Sequence, residues 1–263
     1  GICGQNYSTI TAGINEGVVD ATGKSVGGLC GAKYGGDVTN SYNIGSVKGG
    51  DYVGGILGYS SLGSLVNCFN ASIVSGSTNN VGGVCGNNYS GTLTNCYHDS
   101  NSYGGQAVGS ANGTITQVEG KTTEQFKSGE VAYLLAQGTD GSVWGQQLGV
   151  DNYPVLNSAY KLIVTTKGNN NTYWSTFSNL NSDVTLSVPS GRILKVYNAT
   201  VSEGTLTLSE RNYNQVAKGE GVLLKSDDVY VNVKANENNE LTGETYDNNN
   251  LMATPSDAKT ITA

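Results

Sequence analysis

Only one histidine, His98, and only two arginines, Arg192 and Arg211, occur in the 263 residues of this chain. A single imidazole cannot assemble a histidine-based metal centre, and without a Ser/His/Asp or Cys/His grouping nucleophilic catalysis has no support. His98, beside Asp99, reads as a surface corner residue. Charged residues make up just 13% of the chain and the net charge is −7. The lysines and arginines are scattered, whereas nucleic acid demands a clustered basic surface, so a nucleic-acid partner is excluded. No run of about 18 apolar residues exists to span a membrane. Helical spacing of apolar residues is missing before about residue 122, which excludes solenoids built from helix pairs.

What the chain has in abundance is glycine, 38 residues, and it is periodic. GICG at 1–4 returns as GLCG at 28–31, GILG at 55–58 and GVCG at 83–86, at intervals of 27, 27 and 28 residues. The rest of the unit recurs as well: TNSYN at 39–43, VNCFN at 66–70 and TNCYH at 94–98, with a weaker first copy through Ile10, Ile14 and Asn15. A fixed period of this length means one supersecondary unit stacked on itself. Short alternating apolar runs separated by glycine make that unit a turn of β-strands, predicting a β-solenoid, a right-handed parallel β-helix, over 1–121. Gly1 falls inside a repeat, so upstream sequence is expected, and the lack of a secretion signal carries no information.

In such a coil, equivalent residues lie about 4.8 Å apart and form columns. Ile10, Val38, Leu65 and Leu93 form an aliphatic column, Tyr42, Phe69 and Tyr97 an aromatic one, and Asn40, Asn67 and Asn95 an amide ladder in which side chains satisfy one another. Cys3, Cys30 and Cys85 share a column with Leu57, and Cys68 and Cys96 share another with Ser41. Exchange with leucine marks an inward apolar position, so these are read as buried free thiols; Cys3–Cys30 and Cys68–Cys96 are the pairs near enough for a disulfide.

After Ser100 the repeat decays, and TTEQFKSGEVAYLLAQG at 122–138 reads as a capping helix. Thr122 and Gln125 match a capping box, Val131, Leu134 and Leu135 share a face, and Gly138 suits the C-terminal stop. With Trp144, Tyr153, Pro154 and Val155 this connector, 122–158, is expected to close the last coil. From 159 to 263 the period is gone. Short alternating strands, KLIVTT, WSTFS, VTLSV, ILKVYNA, TLTLS, GVLLK and VYVNV, punctuated by PSGR at 189–192 and KGEG at 218–221, predict an antiparallel β-sandwich or barrel, with 236–250 a surface loop.

Carbohydrate-active β-helices need carboxylates clustered on one face, but Glu16, Asp20, Asp37 and Asp51 fall singly in different turns, so no catalytic residue is assigned. Calcium has no support either: GGD at 35–37 and 49–51 lacks the nine-residue spacing of calcium-binding β-rolls, and TDGS at 139–142 and DNNN at 247–250 carry one carboxylate each. No metal or other cofactor is implied. One column faces outward as a candidate binding site: Tyr7, Tyr34 and Tyr89, with Ser61 at the fourth position, each three residues past the Gly-x-x-Gly block.

The repeats GGLCG, TNSYNIGSV, YVGGILG and VNCFNASIVSG resemble the GLUG repeat of large secreted proteins of bacteria, often surface proteins of the Bacteroidetes, over residues 1–100. TEQFKSGEVAYLLAQG followed by VWGQQLGVDNYPVL resembles the segment that closes such arrays. VPSGRILKVYNA, GTLTLSE and GEGVLLKS resemble a β-rich C-terminal module of the same proteins, which there continues with further strands. The resemblance implies a secreted or cell-surface, non-catalytic protein in cell adhesion or ligand binding, monomeric, with an unknown host or bacterial surface ligand such as a glycan. The repeat also accompanies bacterial IgA-targeting peptidases, whose activity resides in a separate zinc domain; this chain has no HExxH. Carbohydrate binding or processing on the solenoid, and a plain spacer, are the alternatives.

Overall fold

The computed structural model of the chain describes residues 1–77, 80–137, 143–164, 166–167, 172–179 and 182–236. It divides into two compact units, Gly1–Gly145 with Asp151–Asn157, and Gln146–Val150 with Ser158 onward.

The first unit is the β-solenoid. Strands Cys3–Asn6, Cys30–Lys33, Leu57–Ser60, Cys85–Asn88 and Val108–Ala111 pair in parallel as one sheet, and Ile10–Thr11, Val38–Thr39, Ser64–Asn70, Thr92–Asp99 and Thr114–Lys121 as a second. Narrower sheets of Lys24–Gly27, Asp51–Gly54 and Val81–Gly82, and of Val19–Asp20, Val47–Lys48 and Val74–Ser75, complete each turn. Cys3 pairs with Cys30, Cys30 with Leu57 and Leu57 with Cys85, so the sequence period is one turn of the coil. A fifth rung follows where the repeat is no longer readable: Val108 pairs with Cys85 only 23 residues on, and Ile115 and Val118 lie beneath Leu93 and Cys96.

The Gly-Gly-x-x-Gly block has a steric cause. The first and third sheets meet backbone to backbone, so a Cβ on Gly54 would overlap the Leu57 carbonyl oxygen and lie 2.6 Å from Gly86 N; Gly27 and Gly82 face the same overlap with Cys30 and Cys85. No side chain fits between those chains, which is why glycine returns on every turn.

The interior holds Leu29, Val38, Ile56, Leu65, Val84 and Leu93 together with Cys30, Cys68, Cys85 and Cys96. All five cysteines are free. Burial pushes the Cys30 and Cys85 thiols up to about 12, so they stay protonated and behave as small hydrophobes. The asparagine column has a different cause from the one read in the sequence. Asn40, Asn67 and Asn95 sit in the left-handed region at φ 48°, 54° and 51°, as do Ala12 and Gln117 one rung outside them. Asparagine tolerates that conformation at little cost, so the backbone, more than amide stacking, selects it. One amide link persists, Asn95 Nδ2 donating to Asn67 Oδ1 at 2.7 Å.

A second ladder does rest on amides: Asn15 Nδ2 donates to Asn43 Oδ1 at 2.6 Å and Asn43 Nδ2 to Asn70 Oδ1 at 2.7 Å. Its next register position is His98. The structure therefore corrects the surface reading of His98, which is 1% exposed. A Cβ on Gly83 would overlap its ring, and one on Gly120 would stand 3.0 Å from it, so two glycines make the space. Burial holds its pKa below the usual 6.5, against the opposing pull of the Gly105, Tyr103 and Glu119 backbones and the Asp99 carboxylate. The unfolded chain thus takes up a proton near pH 6.5 that the folded chain refuses until lower pH. His98's contribution is intact above that value and is lost as pH falls, by up to about 1.4 kcal/mol per unit. Urea unfolding at ~pH 7.5 and ~pH 5 is expected to show a smaller acid loss in His98→Asn, which continues the ladder without titrating; an equal loss in both proteins would refute this.

The described part of this segment, 122–137, forms two helices, not one: α1, Thr123–Lys127, with the Thr122/Gln125 capping box present, and α2, Glu130–Gln137. Gly129 at φ +89° breaks the run. Phe126, Val131, Leu135 and Trp144 pack onto the outward aromatic column Tyr42, Phe69 and Tyr97, so the helices lie along a flank of the coil across three turns. Buried Asp99 fastens them, accepting from Thr123 Oγ1 at 2.8 Å and Tyr153 OH at 3.0 Å. Gly138 lies outside the described residues, as do 139–142 and nearly all of the 236–250 stretch.

The second unit is an antiparallel sandwich. A four-stranded sheet (Tyr160–Val164, Tyr230–Ala235, Val184–Ser187, Gln215–Val216) and a five-stranded sheet (Thr166–Lys167, Tyr173–Ser178, Gly221–Ser226, Leu194–Ser202, Thr205–Glu210) enclose one core of Val184, Leu186, Val196, Val216, Val222, Leu224 and Val231. Both arginines serve the fold. Arg211 is buried against Asn198 and Glu220, and Arg192 lies 3.6 Å from Asp228.

Candidate ligand-binding face

The corners after the first sheet's strands stack like the strands. Tyr34 N donates to Asn6 O, Ser61 N to Lys33 O and Tyr89 N to Ser60 O, which sets positions 7, 34, 61 and 89 one above another. Three of the four corners are held from inside. Asn6 Nδ2 donates to Ser8 O at 2.7 Å and Asn88 Nδ2 to Gly91 O at 3.1 Å, while Lys33 Nζ reaches the next corner's Leu62 O. Lys33 is fully buried, and burial lowers its pKa. These bonds fix the backbone that carries the tyrosines before any ligand arrives.

The three tyrosines assigned from sequence do share a face and are exposed, Tyr7 at 69%, Tyr34 at 37% and Tyr89 at 56%. Tyr7 and Tyr34 stack with centroids 5.4 Å apart and planes 21° apart. At the third corner, where Ser61 lacks a ring, Tyr59 reaches in from the adjoining strand, 5.9 Å from Tyr34 and 6.3 Å from Tyr89. Tyr52, from the third sheet, joins it at 6.0 Å. The result is an unbroken ladder of four rings with a fifth at its side. Its members are not equivalent: the two end pairs are stacked, at 21° and 26°, whereas Tyr34 and Tyr59 are inclined by 52° and Tyr52 and Tyr59 by 40°.

Sequence reasoning missed Tyr59 and Tyr52. Neither was legible: alternation sets Tyr59 on the same side as buried Leu57 two residues earlier, and its register partners Ala32 and Asn87 carry no ring. Tyr52 sits at φ 51° in register with Ser25 at φ 58°, a left-handed kink that no residue pattern announced.

Across the corner segments 5–8, 32–36, 59–63, 87–91 and 110–113 the one charged residue is Lys33, which is buried. The carboxylates nearby are engaged elsewhere: Asp51 lies 3.9 Å from Lys24 and accepts from Asn80, Asp37 accepts from Ser64 N, and Asp20 pairs with Lys48 at 3.1 Å. Among the described residues no group of three His, Cys, Asp or Glu side chains is placed to hold a metal ion, and no helix is long and apolar enough to cross a membrane.

No family model and no curated protein matches the chain. Among solved structures, a Bacteroides ovatus protein provisionally assigned as an immunoglobulin A1 protease is similar at 19% identity and a TM-score of 0.41, over 56% of this chain and 57% of that one. At that level the likeness assigns neither family nor activity.

Proposed function

We propose that this chain is a secreted or surface-attached, non-catalytic protein of the GLUG-repeat kind that works in adhesion or ligand binding, with the tyrosine ladder as its contact face. The observation that carries the reading is the ladder itself: three rings on stacked corners and two on adjoining strands, with Tyr7 and Tyr89 more than half exposed, amid serine, asparagine and glycine. Tyrosine supplies large, rigid, amphipathic contact area at low entropic cost, and small polar neighbours supply adaptable hydrogen bonds. The rings lie outside the apolar clusters that form the interior of the unit.

The test is a paired screen of glycan and protein arrays with the intact chain and with Tyr7, Tyr34 and Tyr89 all changed to alanine. Ligands of the intact chain are expected to lose at least about tenfold in affinity. Unchanged binding by the triple variant, at an unchanged unfolding temperature, would remove the ladder from the function.

A further inference from the structure

Resting on the ladder as the contact face, we infer the class of its ligand: an extended, uncharged, hydroxyl-rich chain, that is, a neutral glycan laid along the coil axis. Three features of the face converge on this chemistry.

The first is charge. A uronate, sialyl, sulfate or phosphate group lying on the ladder would meet no exposed cation in any corner segment, because Lys33 is buried and spends its ammonium on Leu62 O, and beside Tyr52 the exposed Lys24 already faces Asp51 at 3.9 Å. A cationic ligand would meet no carboxylate in the corner segments, and the flanking Asp37 and Asp51 already accept from Ser64 N and Asn80. Covering a charge without a partner is costly, and the net charge of −7 repels anions at longer range.

The second is polarity. Besides the rings, the face offers Gln5, Ser8, Asn87, Ser90 and Ser110, groups that donate and accept alike, and a single large exposed aliphatic side chain, Leu62. A protein partner would add aliphatic anchors to the tyrosines, and of large ones the corners offer Leu62 alone. A polyol presents the complementary set: hydroxyls that donate and accept, and C–H faces for aromatic rings.

The third is ring orientation. In the pairs Tyr7/Tyr34 and Tyr59/Tyr89 the ring planes lie 21° and 26° apart, so the rings cover one another face to face. At the joint Tyr59 is inclined by 52° to Tyr34 and by 40° to Tyr52, so these rings do not cover one another and leave room for a ring to lodge against them. One sugar ring therefore stacks at the joint, and its neighbours along the chain hydrogen-bond to the phenols of the end pairs. This assigns different chemistry to residues of one type: at Tyr59 the ring matters, at Tyr89 the hydroxyl.

The experiment is affinity electrophoresis of the full chain through gels containing hydroxyethyl cellulose, galactomannan, xyloglucan or α-mannan as neutral polymers and polygalacturonate or chondroitin sulfate as anionic ones, at low and high salt. Retardation by at least one neutral polymer, unaltered by salt, is expected. Tyr59→Leu should weaken it about tenfold and Tyr59→Phe hardly at all, while Tyr89→Phe weakens it several-fold. Retardation only by anionic polymers and relieved by salt would overturn the inference, as would retardation by none of the neutral polymers, or ladder-dependent binding of a peptide alone. In the anionic and peptide outcomes the ladder would still be the contact face. Neutral binding indifferent to both Tyr59→Leu and the triple alanine change would sink the ladder reading as well.

Discussion

Gly54→Ala is expected to lower the unfolding midpoint of the solenoid unit by roughly 10 °C, corresponding to about 3 kcal/mol or more for a unit of this size. The added methyl meets the Leu57 carbonyl, Gly86 N at 2.6 Å and Cys85 Cα at 2.8 Å, all of them backbone. A flexible side chain can step aside; a strand bonded to rungs on both sides cannot. Leu57–Ser60 and Cys85–Asn88 pair with one another and with further strands, so relief at one turn means breaking register at several. Gly23→Ala is the matched control, because nothing lies within 4 Å of its added Cβ, and it should leave the midpoint within about 2 °C. Differential scanning calorimetry of both variants decides the matter, and equal small shifts would contradict the close-approach account.

Phe69→Ala should cost about 3–5 kcal/mol. Phe69 is wholly buried and touches rings on every side: Tyr42 at 5.0 Å in near-parallel stacking, Trp144 at 5.6 Å, Phe126 at 5.7 Å and Tyr153 at 6.3 Å. It is the middle member of the column on which α1 and α2 lie, so the cavity would open between coil and helices. The resulting loss is expected in urea titration and in the near-ultraviolet dichroism of Trp144 together. A loss below about 1 kcal/mol would mean that the helices are held chiefly by the Asp99 bonds to Thr123 and Tyr153.

Periodicity made the coil legible because stacking turns Cys3, Cys30, Leu57 and Cys85 into one column, and only an in-register β-coil demands that. The sandwich strands were legible by alternation, and Gly191 and Gly219, both at positive φ, confirm the turns read at PSGR and KGEG. The fifth rung escaped because its turn is shorter and keeps only a few apolar positions, chiefly Val108 and Val118. The break at Gly129 was hidden by the continuous apolar spacing around it. His98 was misplaced although TNSYN, VNCFN and TNCYH already set it beneath Asn43 and Asn70; what overrode the alignment was the usual preference of histidine for the surface. Of the five rings of the candidate face, the three at the repeating corners were legible. Tyr59 and Tyr52 occupy the ladder without repeating, and their place follows from three-dimensional proximity alone.

The parallel pairing of the rungs also has a mechanical side. Hydrogen bonds between successive turns run along the coil axis, so tension applied between the two ends of the coil loads the bonds of the outermost turn first. Each turn that peels away pays out about 90 Å of slack chain, while the turns behind it keep their register. On the proposed reading, an attachment carried on such a coil would yield in steps under shear, and the part of the ladder that has not yet unwound would still hold.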